Sequence, residues 1–347
     1  MKRVLVTGGA GFVGSNIAIE LKERYENLEV VALDNLIRRG SELNIPRLTA
    51  SGVEFRHGDV RVMDDLLSVG KFDFLYECSA EPSVMAGADG NPKYVVQTNL
   101  NGAINCAEAC RKNDAGMLFL STSRVYSVKS LSNVTYFETD TRFEISPKQK
   151  EKGVVSGITE EFSTAGHKSF YGASKFAAEV MLEEYREMFD WPIIINRCGL
   201  IAGPWQFGKS DQGIIPFWIK SFIDRKQINY IGFGGKGKQV RDALHIKDLI
   251  NLVFMQMEDP ESFNEGCFNV GGGKESSFSL LELSDLCKKV TGIDLNVGAQ
   301  LEQRYADIPI YITNNNKIHT RSKWKIQFNV EEIVIDVYNW LQELKKL

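Results

Sequence analysis

The first 34 residues of the chain read as a strand, a glycine-rich turn, a helix and a second strand. The apolar run RVLVT at residues 3–7 predicts a buried strand, and GGAGFVG follows at residues 8–14. A helix is predicted from residue 15 to residue 25, and EVVAL at residues 29–33 predicts the next strand. Two strands joined through a helix form a βαβ unit, so this stretch predicts an α/β fold with a parallel sheet.

The turn after the first strand contains two overlapping glycine patterns. Gly9, Gly11 and Gly14 form one of them, and Gly8 with the last two forms the other. Glycine lets the backbone approach a pyrophosphate closely, and a helix N-terminus presents N–H groups to it. Asp34 follows Gly14 by 20 residues (34 − 14 = 20), where an acid binds the 2′-hydroxyl of the adenosine ribose. The turn therefore predicts a dinucleotide site; the alternative is a glycine-rich loop without a ligand.

The acid at the end of the second strand also predicts which dinucleotide binds. The carboxylate of Asp34 would repel a 2′-phosphate, which favours NAD over NADP. Arg38 and Arg39 follow closely and are able to offset that repulsion. We predict NAD as the cofactor.

Strands and helices continue to alternate beyond residue 34. Further strands are predicted at residues 53–56, 72–78, 117–120 and 192–197, and further helices at residues 63–69, 99–112 and 169–187. This alternation predicts a doubly wound parallel sheet. Residues 127–168 form a long polar insertion, and loops of that length are usually functional or disordered.

Glycines break the last third of the chain into short pieces, which indicates a second domain. We predict that residues 1–200 and about 241–275 form a Rossmann-type NAD-binding domain. Residues from about 201–240 and 276–347 are predicted to form a smaller, interleaved C-terminal substrate domain. The run CFNV at residues 267–270 is predicted to rejoin the first sheet.

Tyr171 and Lys175 lie four residues apart in a predicted helix. Side chains at that spacing share one helix face. An ammonium beside a phenol favours the phenolate, which is a base able to remove a proton from a sugar hydroxyl. The alternative is an ordinary amphipathic helix with a surface Tyr and Lys.

Polar residues follow three of the predicted strands, at the edge where open α/β sheets bind ligands. Asp59 follows the third strand, where it accepts from the adenine amine or caps the next helix. Ser79 and Ala80 follow the fourth strand, where the chain passes the cofactor. Thr122 follows the fifth strand and brings a hydroxyl to the same edge.

Charge and composition limit the partners of the chain. The net charge is −4, so no general attraction to nucleic acid or to an anionic membrane is expected. The six cysteines form no C-x-x-C pair and the four histidines show no metal-ligand spacing. No apolar run approaches the roughly 18 residues of a membrane span. We expect a cytoplasmic protein without a metal.

Taken together, these motifs resemble the extended short-chain dehydrogenase/reductase superfamily of nucleotide-sugar enzymes, over nearly the whole chain. The matching pieces are TGGAGFVG at 7–14, DNL at 34–36, DV at 59–60, ST at 121–122, Tyr171 with Lys175, GP at 203–204, and Arg241-Asp242 with His245. The resemblance implies a Rossmann fold, bound NAD, and a nucleotide-diphosphate sugar as substrate.

Within that superfamily the chain is most similar to the CDP-paratose 2-epimerases, also called CDP-tyvelose 2-epimerases. WQ at 205–206, DQG at 211–213, GKQVRD at 237–242 and GITE at 157–160 carry this likeness. The resemblance implies epimerisation at C2 of a CDP-linked 3,6-dideoxyhexose, through a transient 2-keto sugar and enzyme-bound NADH. It therefore favours a CDP-sugar as the partner.

The resemblance assigns roles to individual residues. Thr122, Tyr171 and Lys175 form the catalytic set. The residues predicted to bind NAD are Gly8, Gly11, Phe12, Val13, Gly14, Asp34, Asn35, Asp59, Val60, Ser79, Ala80, Asn99, Tyr171, Lys175 and Cys198. Those predicted to bind the substrate are Thr122, Gln206, Gln212, Arg241, Arg304 and Asp307. For Arg241 and Arg304 the alternative is a surface ion pair.

The chain departs from the superfamily pattern at two places. Leu200 stands where an Asn often contacts the diphosphate, and Cys78-Ser79-Ala80-Glu81 replaces an aliphatic-alanine run. No role is assigned to Glu81.

Three other functions fit parts of the sequence. A 4,6-dehydratase needs an Asp-Glu pair after the Thr, where this chain has Ser123-Arg124. A UDP-sugar 4-epimerase uses the same catalytic set, which acts on a generic alcohol and distinguishes neither C2 from C4 nor one base from another. An NAD-binding regulator without activity is the third, and the complete catalytic set argues against it.

The helix of Tyr171 also predicts assembly. Its apolar residues Phe176, Ala177, Val180, Met181 and Tyr185 spread over more than one face, so the helix has more apolar surface than one sheet covers. We predict a homodimer or a homotetramer.

Overall fold

A computed structural model describes residues 1–88, 91–209 and 212–344. The strands are β1 (Arg3–Thr7), β2 (Glu29–Asp34), β3 (Glu54–His57), β4 (Phe74–Glu77), β5 (Gly116–Thr122), β6 (Tyr136–Glu138), β7 (Phe143–Ile145), β8 (Ile193–Cys198), β9 (Leu200–Ala202), β10 (Asn229–Ile231), β11 (Val240–His245), β12 (Cys267–Val270), β13 (Ser277–Ser279) and β14 (Gly298–Gln300). Asp211, part of the DQG motif, lies outside the described residues, as do residues 345–347 of the predicted substrate domain.

Twelve α-helices lie within the described residues. They are α1 (Phe12–Arg24), α2 (Ile45–Ala50), α3 (Met63–Ser68), α4 (Pro92–Val96), α5 (Gly102–Asn113), α6 (Val128–Ser132), α7 (Phe170–Phe189), α8 (Ile214–Ile223), α9 (Ile246–Glu258), α10 (Leu280–Thr291), α11 (Asn316–Arg321) and α12 (Val330–Leu344). A π-helical turn covers Gln97–Asn101, and short 3₁₀ turns cover Ser41–Asn44, Ser123–Val125, Phe233–Gly235, Pro260–Phe263 and Lys274–Ser276.

Seven of the strands form one parallel sheet in the order β12-β8-β5-β4-β1-β2-β3. In the register, Val4 pairs with Val30 on one side and with Phe74 on the other. The order of the first five strands is 3-2-1-4-5, which is the order of the doubly wound dinucleotide fold. The predicted fold class is confirmed, and the predicted return of CFNV to this sheet is confirmed as β12.

The chain divides into two compact units. The first comprises residues 1–125, 170–197 and 250–267. Its core is built from apolar strand residues and from small residues of α5. Examples are Leu5, Val31, Leu75, Cys106, Ala107, Phe119, Ala178 and Ile195. Small residues on α5 let the helix backbone approach its neighbours closely. The predicted glycine turn and the predicted catalytic set both belong to this unit.

The second unit comprises residues 126–169, 198–249 and 268–347. Its core packs around α8, α10 and α12. Examples are Ile215, Trp218, Ile219, Phe222, Leu283, Val334, Val337 and Trp340. Three small sheets, β13-β11-β9, β10-β14 and β6-β7, complete it.

The insertion at residues 126–169 belongs to this second unit, although the predicted boundaries placed it in the first domain. Backbone hydrogen bonds explain its position. The N–H of Phe143 donates to the carbonyl of Lys238 over 2.9 Å, and the N–H of Ile158 donates to the carbonyl of Ile312 over 2.7 Å. Buried backbone groups need such partners, and the insertion finds them in the later part of the chain.

Within the described residues, the structure has no helix that is both long and apolar enough to cross a membrane.

Candidate active site

The glycine turn between β1 and α1 is packed so tightly that three of its positions, Gly8, Gly9 and Gly14, exclude a side chain. Gly8 has φ +61°, and a Cβ there would lie 2.7 Å from the carbonyl carbon of Cys78. A Cβ on Gly14 would lie 2.2 Å from the carbonyl oxygen of Gly8. The N–H of Gly11 donates to that same oxygen over 2.9 Å. The turn is therefore a fixed backbone surface, as a pyrophosphate site requires.

Helix α1 begins at Phe12 with its first N–H groups uncovered by side chains. Gly11 is the N-cap residue, and in the described residues no side chain caps the helix and no acid lies in its first turn. Four N–H groups at a helix start lack intrahelical partners, and the helix dipole adds a partial positive charge there. The N–H groups of Phe12, Val13 and Gly14 lie at this helix start, and their contact with a pyrophosphate stays a prediction.

A cleft of about 530 Å³ opens beside this turn in the first unit. The predicted cofactor residues that line it are Gly8, Gly11, Asp34, Asn35, Val60, Ser79 and Ala80. The other residues that line it are Leu33, Ile37, Arg38, Ser41, Gly58, Cys78, Tyr94 and Thr98. A glycine floor, a carboxylate and an apolar wall are the features that an adenosine diphosphate needs, so the residues present fit the nucleotide half of NAD.

Asp34 is held rigidly at the end of β2. Its Oδ2 accepts the N–H of Ala10 over 3.0 Å, and its Oδ1 accepts the N–H of Leu36 over 2.8 Å. Burial raises the pKa of this carboxyl, while these backbone hydrogen bonds act to lower it. The fixed carboxylate at the rim of the cleft is where the sequence predicts the ribose contact.

Asp59 is engaged with Arg61 and Asn35. Arg61 approaches its Oδ2 to 2.6 Å, and the Asn35 amide donates to the same oxygen over 3.0 Å. Although burial acts to raise it, these hydrogen bonds lower the pKa of Asp59 to about 2. The N-cap position of helix α3 is Val62 and carries no side-chain cap, so the alternative that Asp59 is the N-cap of this helix is wrong. A contact with adenine stays a prediction.

Asn99 lies in the π-helical turn, with its side chain buried. Its Oδ1 accepts the N–H of Glu81 over 2.8 Å, and its Nδ2 donates to the carbonyl of Glu81 and to the Oγ of Ser174, both over 3.1 Å. Asn99 therefore ties the chain after β4 to α7. The carboxylate of Glu81 accepts the N–H of Ser83 over 3.2 Å, which gives this unassigned acid a turn-forming contact.

Tyr171 and Lys175 lie one turn apart near the start of α7. Tyr171 is half-buried and Lys175 is buried. Helix α7 packs against the 3₁₀ turn Ser123–Val125, which directly follows Thr122. The Oγ1 of Thr122 accepts the N–H of Arg124 over 3.2 Å, which leaves its own proton available for donation. A phenol, an ammonium and a hydroxyl donor on one core are the groups that alcohol oxidation requires.

The partner of Lys175 was not predicted from the sequence. Its Nζ lies 3.3 Å from the Oε2 of Glu77, the last residue of β4, and both side chains are buried. The available signal was an acid within the apolar run FDFLYEC, since a carboxylate inside a buried strand needs a partner.

Two of the predicted substrate residues meet in the second unit. Arg241 on β11 donates to the Oδ1 of Asp307 over 2.8 Å and to the carbonyl of Ile308 over 2.8 Å. Arg304 is exposed, and its carbonyl accepts the N–H of Asp307 over 3.3 Å. Arg241 and Asp307 form a side-chain ion pair, and the role of these residues with a diphosphate stays a prediction.

The remaining predicted residues lie elsewhere in that unit. The Nε2 of Gln206 donates to the carbonyl of Ile201 over 2.9 Å. The backbone N–H of Gln212 donates to the carbonyl of Lys209 over 3.1 Å. Cys198 is the last residue of β8 and is buried. None of these contacts tests a ligand-binding role.

Known proteins are similar to this chain over most of its length. The family model described as "NAD dependent epimerase/dehydratase family" matches residues 4–271. CDP-paratose 2-epimerase from Salmonella typhi is 30% identical over 350 residues, which cover 99% of this chain and 100% of that one. A putative UDP-glucose 4-epimerase from Methanocaldococcus jannaschii is 27% identical over 345 residues, covering 98% of each.

Among solved structures, UDP-glucuronic acid 4-epimerase from Bacillus cereus, in complex with UDP-glucuronic acid and NAD, matches with a TM-score of 0.80. The identity is 23%, and 99% of each chain is covered, so this likeness shows the fold.

The Rossmann-type fold, the family model and these relatives thus define an NAD-dependent enzyme of the nucleotide-sugar epimerase and dehydratase class. The chain belongs to the NAD dependent epimerase/dehydratase family. The predicted superfamily and the prediction of NAD as its cofactor are confirmed.

Proposed function

We propose that this protein is an epimerase that inverts C2 of a CDP-linked 3,6-dideoxyhexose and so interconverts CDP-paratose and CDP-tyvelose. The observation that carries the proposal is the end-to-end match with a CDP-paratose 2-epimerase. Thr122, Tyr171 and Lys175 supply the groups that the reaction needs, and all three belong to the first unit.

Each of these residues has a separate task. Bound NAD supplies the hydride acceptor, and later the donor, for the carbon that inverts. Tyr171 removes the proton of the 2-hydroxyl and returns it at the end, as a general base and then a general acid. Thr122 donates a hydrogen bond to the reacting oxygen, and Lys175 favours the phenolate of Tyr171 and contacts the nicotinamide ribose.

The cofactor residues hold the nucleotide throughout the cycle. The glycine turn and the start of α1 bind the pyrophosphate, and Asp34 binds the adenosine ribose. Because the overall reaction is redox-neutral, the protein needs no exchange of cofactor between turnovers. We therefore expect it to purify with NAD bound.

The nucleotide sugar is assigned to the second unit. Arg241 binds the diphosphate, since a charge-assisted contact between Arg and phosphate is strong. Asp307 orients that guanidinium through the 2.8 Å ion pair. Arg304, Gln206 and Gln212 complete this site in the proposal.

The second candidate is a UDP-sugar 4-epimerase. It is favoured by the UDP-glucose 4-epimerases among the relatives, at 25–27% identity over 98% of this chain. The same catalytic set serves both reactions, because only the orientation of the sugar differs. A 4,6-dehydratase is disfavoured, since Ser123 and Arg124 replace the acid pair that such an elimination needs.

A substrate panel tests the proposal. Ligands released by denaturation are identified by mass spectrometry, and the protein is then incubated in parallel with CDP-paratose and UDP-glucose. We expect NAD in the released fraction and turnover of the CDP-sugar, with Tyr171→Phe as the inactive control. Turnover of UDP-glucose alone would favour the second candidate, and turnover of neither would contradict both.

We propose that the protein acts as a homodimer or homotetramer in the cytoplasm. Exposed apolar residues on α7, among them Val180, Met181 and Met188, support a helical interface. Light scattering at micromolar concentration is expected to give a multiple of the 39.0 kDa chain mass. A mass of one chain would contradict this.

A further inference from the structure

Glu77 places a carboxylate inside the core of the first unit. It is the last residue of β4, which lies between β1 and β5 in the sheet. Its exposed fraction is 1%, and the other three residues of the strand are Phe74, Leu75 and Tyr76. Acidic side chains are almost never buried to this degree without a partner.

The partner of this carboxylate is the predicted catalytic lysine. The Nζ of Lys175 lies 3.3 Å from the Oε2 of Glu77 and 4.1 Å from the ring centroid of Phe119. The ammonium is therefore in contact with a carboxylate and with an aromatic face, both of which favour a cation. The other oxygen of Glu77, Oε1, has no hydrogen-bond partner within the described chain.

Stability alone does not account for this pair. Buried ion pairs contribute little net stability, because the desolvation of both charges offsets their attraction. The neutral alternative, two apolar side chains, would serve a core equally well. A buried ammonium favours its neutral form unless an anion lies beside it, and Glu77 is the anion that lies beside Lys175.

The groups that face Glu77 come from three segments. Lys175 approaches from α7, the thiol of Cys106 from α5, and Ser79 from the chain after β4. Burial raises the pKa of Glu77, while Lys175 and Ser79 act to lower it. Burial also raises the pKa of the Cys106 thiol well above its usual range, so that thiol stays neutral.

We propose that Glu77 is a positioning residue, which holds the Lys175 ammonium in place for the ribose of the bound nicotinamide nucleotide. The inference rests on the proposed function, in which Lys175 contacts that ribose. Glu77 acts only through Lys175 and contacts neither cofactor nor sugar itself.

This role gives NAD binding a defined pH dependence. As pH falls through the raised pKa of Glu77, the carboxyl takes up a proton and the attraction for Lys175 is lost. NAD affinity should fall with it. Burial also raises the pKa of Asp34, at the other end of the nucleotide, so protonation of Asp34 weakens NAD binding in the same direction. The effect of Glu77 is therefore taken from the ratio of the NAD dissociation constants of wild type and Glu77→Gln, because both proteins retain Asp34.

The experiment compares NAD binding by wild type and Glu77→Gln, after removal of bound nucleotide, by calorimetry from about pH 5 to pH 9. At neutral pH we expect Glu77→Gln to bind NAD about 10-fold or more weakly, as for the loss of a hydrogen bond to a charged group. As pH falls, the wild-type affinity should approach that of Glu77→Gln. No sugar substrate is needed for either measurement.

Tyr76→Phe is the matched control. Tyr76 precedes Glu77 on the same strand but points to the opposite face, where its hydroxyl donates to the carbonyl of Val253 over 3.1 Å. This variant loses a buried hydrogen bond without touching Lys175. We expect wild-type NAD affinity and wild-type pH dependence. If Tyr76→Phe and Glu77→Gln weaken NAD binding equally, Glu77 contributes only to folding, and the proposal is overturned.

A double variant tests whether Glu77 acts through Lys175. Glu77→Gln/Lys175→Met leaves no stranded buried charge, so it remains measurable even if Glu77→Gln alone folds poorly. We expect it to bind NAD as tightly as Lys175→Met. Additive losses, or a Glu77→Gln protein with wild-type affinity at every pH, would overturn the inference alone. A wild type that does not bind NAD would overturn the proposed function as well.

Discussion

Glu179 on α7 and Arg197 on β8 form a buried, doubly hydrogen-bonded ion pair. The guanidinium donates to both carboxylate oxygens, with its shortest contact at 2.7 Å, and Ser121 also donates to this carboxylate. Four residues before Glu179 on the same helix lies Lys175. The pair therefore anchors the helix that carries the predicted catalytic residues to the end of two strands of the sheet.

Removal of one partner of this pair should destabilise the protein strongly. Arg197→Met leaves the Glu179 carboxylate buried without its cation, which typically costs about 3–5 kcal/mol. Urea unfolding measures the change. Arg111→Met is the control, because Arg111 forms an exposed pair with Glu108 in the same unit, and we expect no measurable change. Equal stability of Arg197→Met and wild type would mean that the pair does not anchor α7.

Asp34→Asn should relax the discrimination between NAD and NADP. The substitution removes the charge that repels a 2′-phosphate but keeps an oxygen to accept a backbone N–H. We expect the ratio of the two dissociation constants to change by about 10-fold or more, which corresponds to about 1.4 kcal/mol. Because burial raises the pKa of Asp34, the wild-type preference should weaken as pH falls. If calorimetric titrations give the same ratio of NAD and NADP dissociation constants for Asp34→Asn and wild type, Asp34 does not contact the ribose.

Tyr171→Phe should abolish turnover while leaving the fold and NAD binding in place. Loss of a general acid–base group typically costs about 10²–10⁴-fold in rate. Tyr185→Phe is the matched control on the same helix, since the Tyr185 hydroxyl donates to Glu108 over 2.7 Å. We expect that control to keep wild-type activity. A Tyr171→Phe protein that retains more than roughly half the activity shows that another group is the base.

His245 should make the stability of the protein depend on pH. The ring is buried, stacks on Phe328 and lies 3.1 Å from Asp336. Burial lowers the pKa of His245 from 6.5 to about 4, although Asp336 acts to raise it. Between those values the unfolded chain binds the proton and the folded chain does not, so stability falls as pH drops from 6.5 towards 4.

The free energy lost over this interval should be on the order of 3 kcal/mol. Denaturant unfolding of wild type and His245→Gln at several pH values measures it, and the variant should show the flatter slope. His167→Gln, which changes an exposed ring, should keep the wild-type slope. Parallel slopes for wild type and His245→Gln would contradict the assignment.

The strands of the large sheet were predictable because buried parallel strands are continuous apolar runs bounded by glycine or polar residues. RVLVT became β1 at the predicted residues. Helix α1 begins at Phe12, three residues before the predicted start, since its N-cap is a glycine and no capping side chain marks the position. The strands within the insertion were not predicted, because residues such as those of Tyr136–Glu138 are exposed and show no periodicity.

Contacts between distant residues of the site were not predictable from spacing. Lys175 and Glu77 are 98 residues apart, and Asn99, predicted as a cofactor residue, is bound to the backbone of Glu81. Such pairs depend on which strand ends and helix faces the sheet order brings together. Local sequence patterns predict candidate residues for the site, whereas the contacts of these residues are known only from the fold.

The central claim is inversion at C2 by removal and return of the same hydrogen within one site. It is tested most directly by incubating CDP-paratose with the protein in deuterated water and recording the proton spectrum of the product. We predict CDP-tyvelose with its C2 hydrogen unlabelled, because the hydrogen never exchanges with solvent. Deuterium at C2 would contradict the mechanism, and inversion at C4 of a UDP-hexose with no action on CDP-paratose would contradict the substrate.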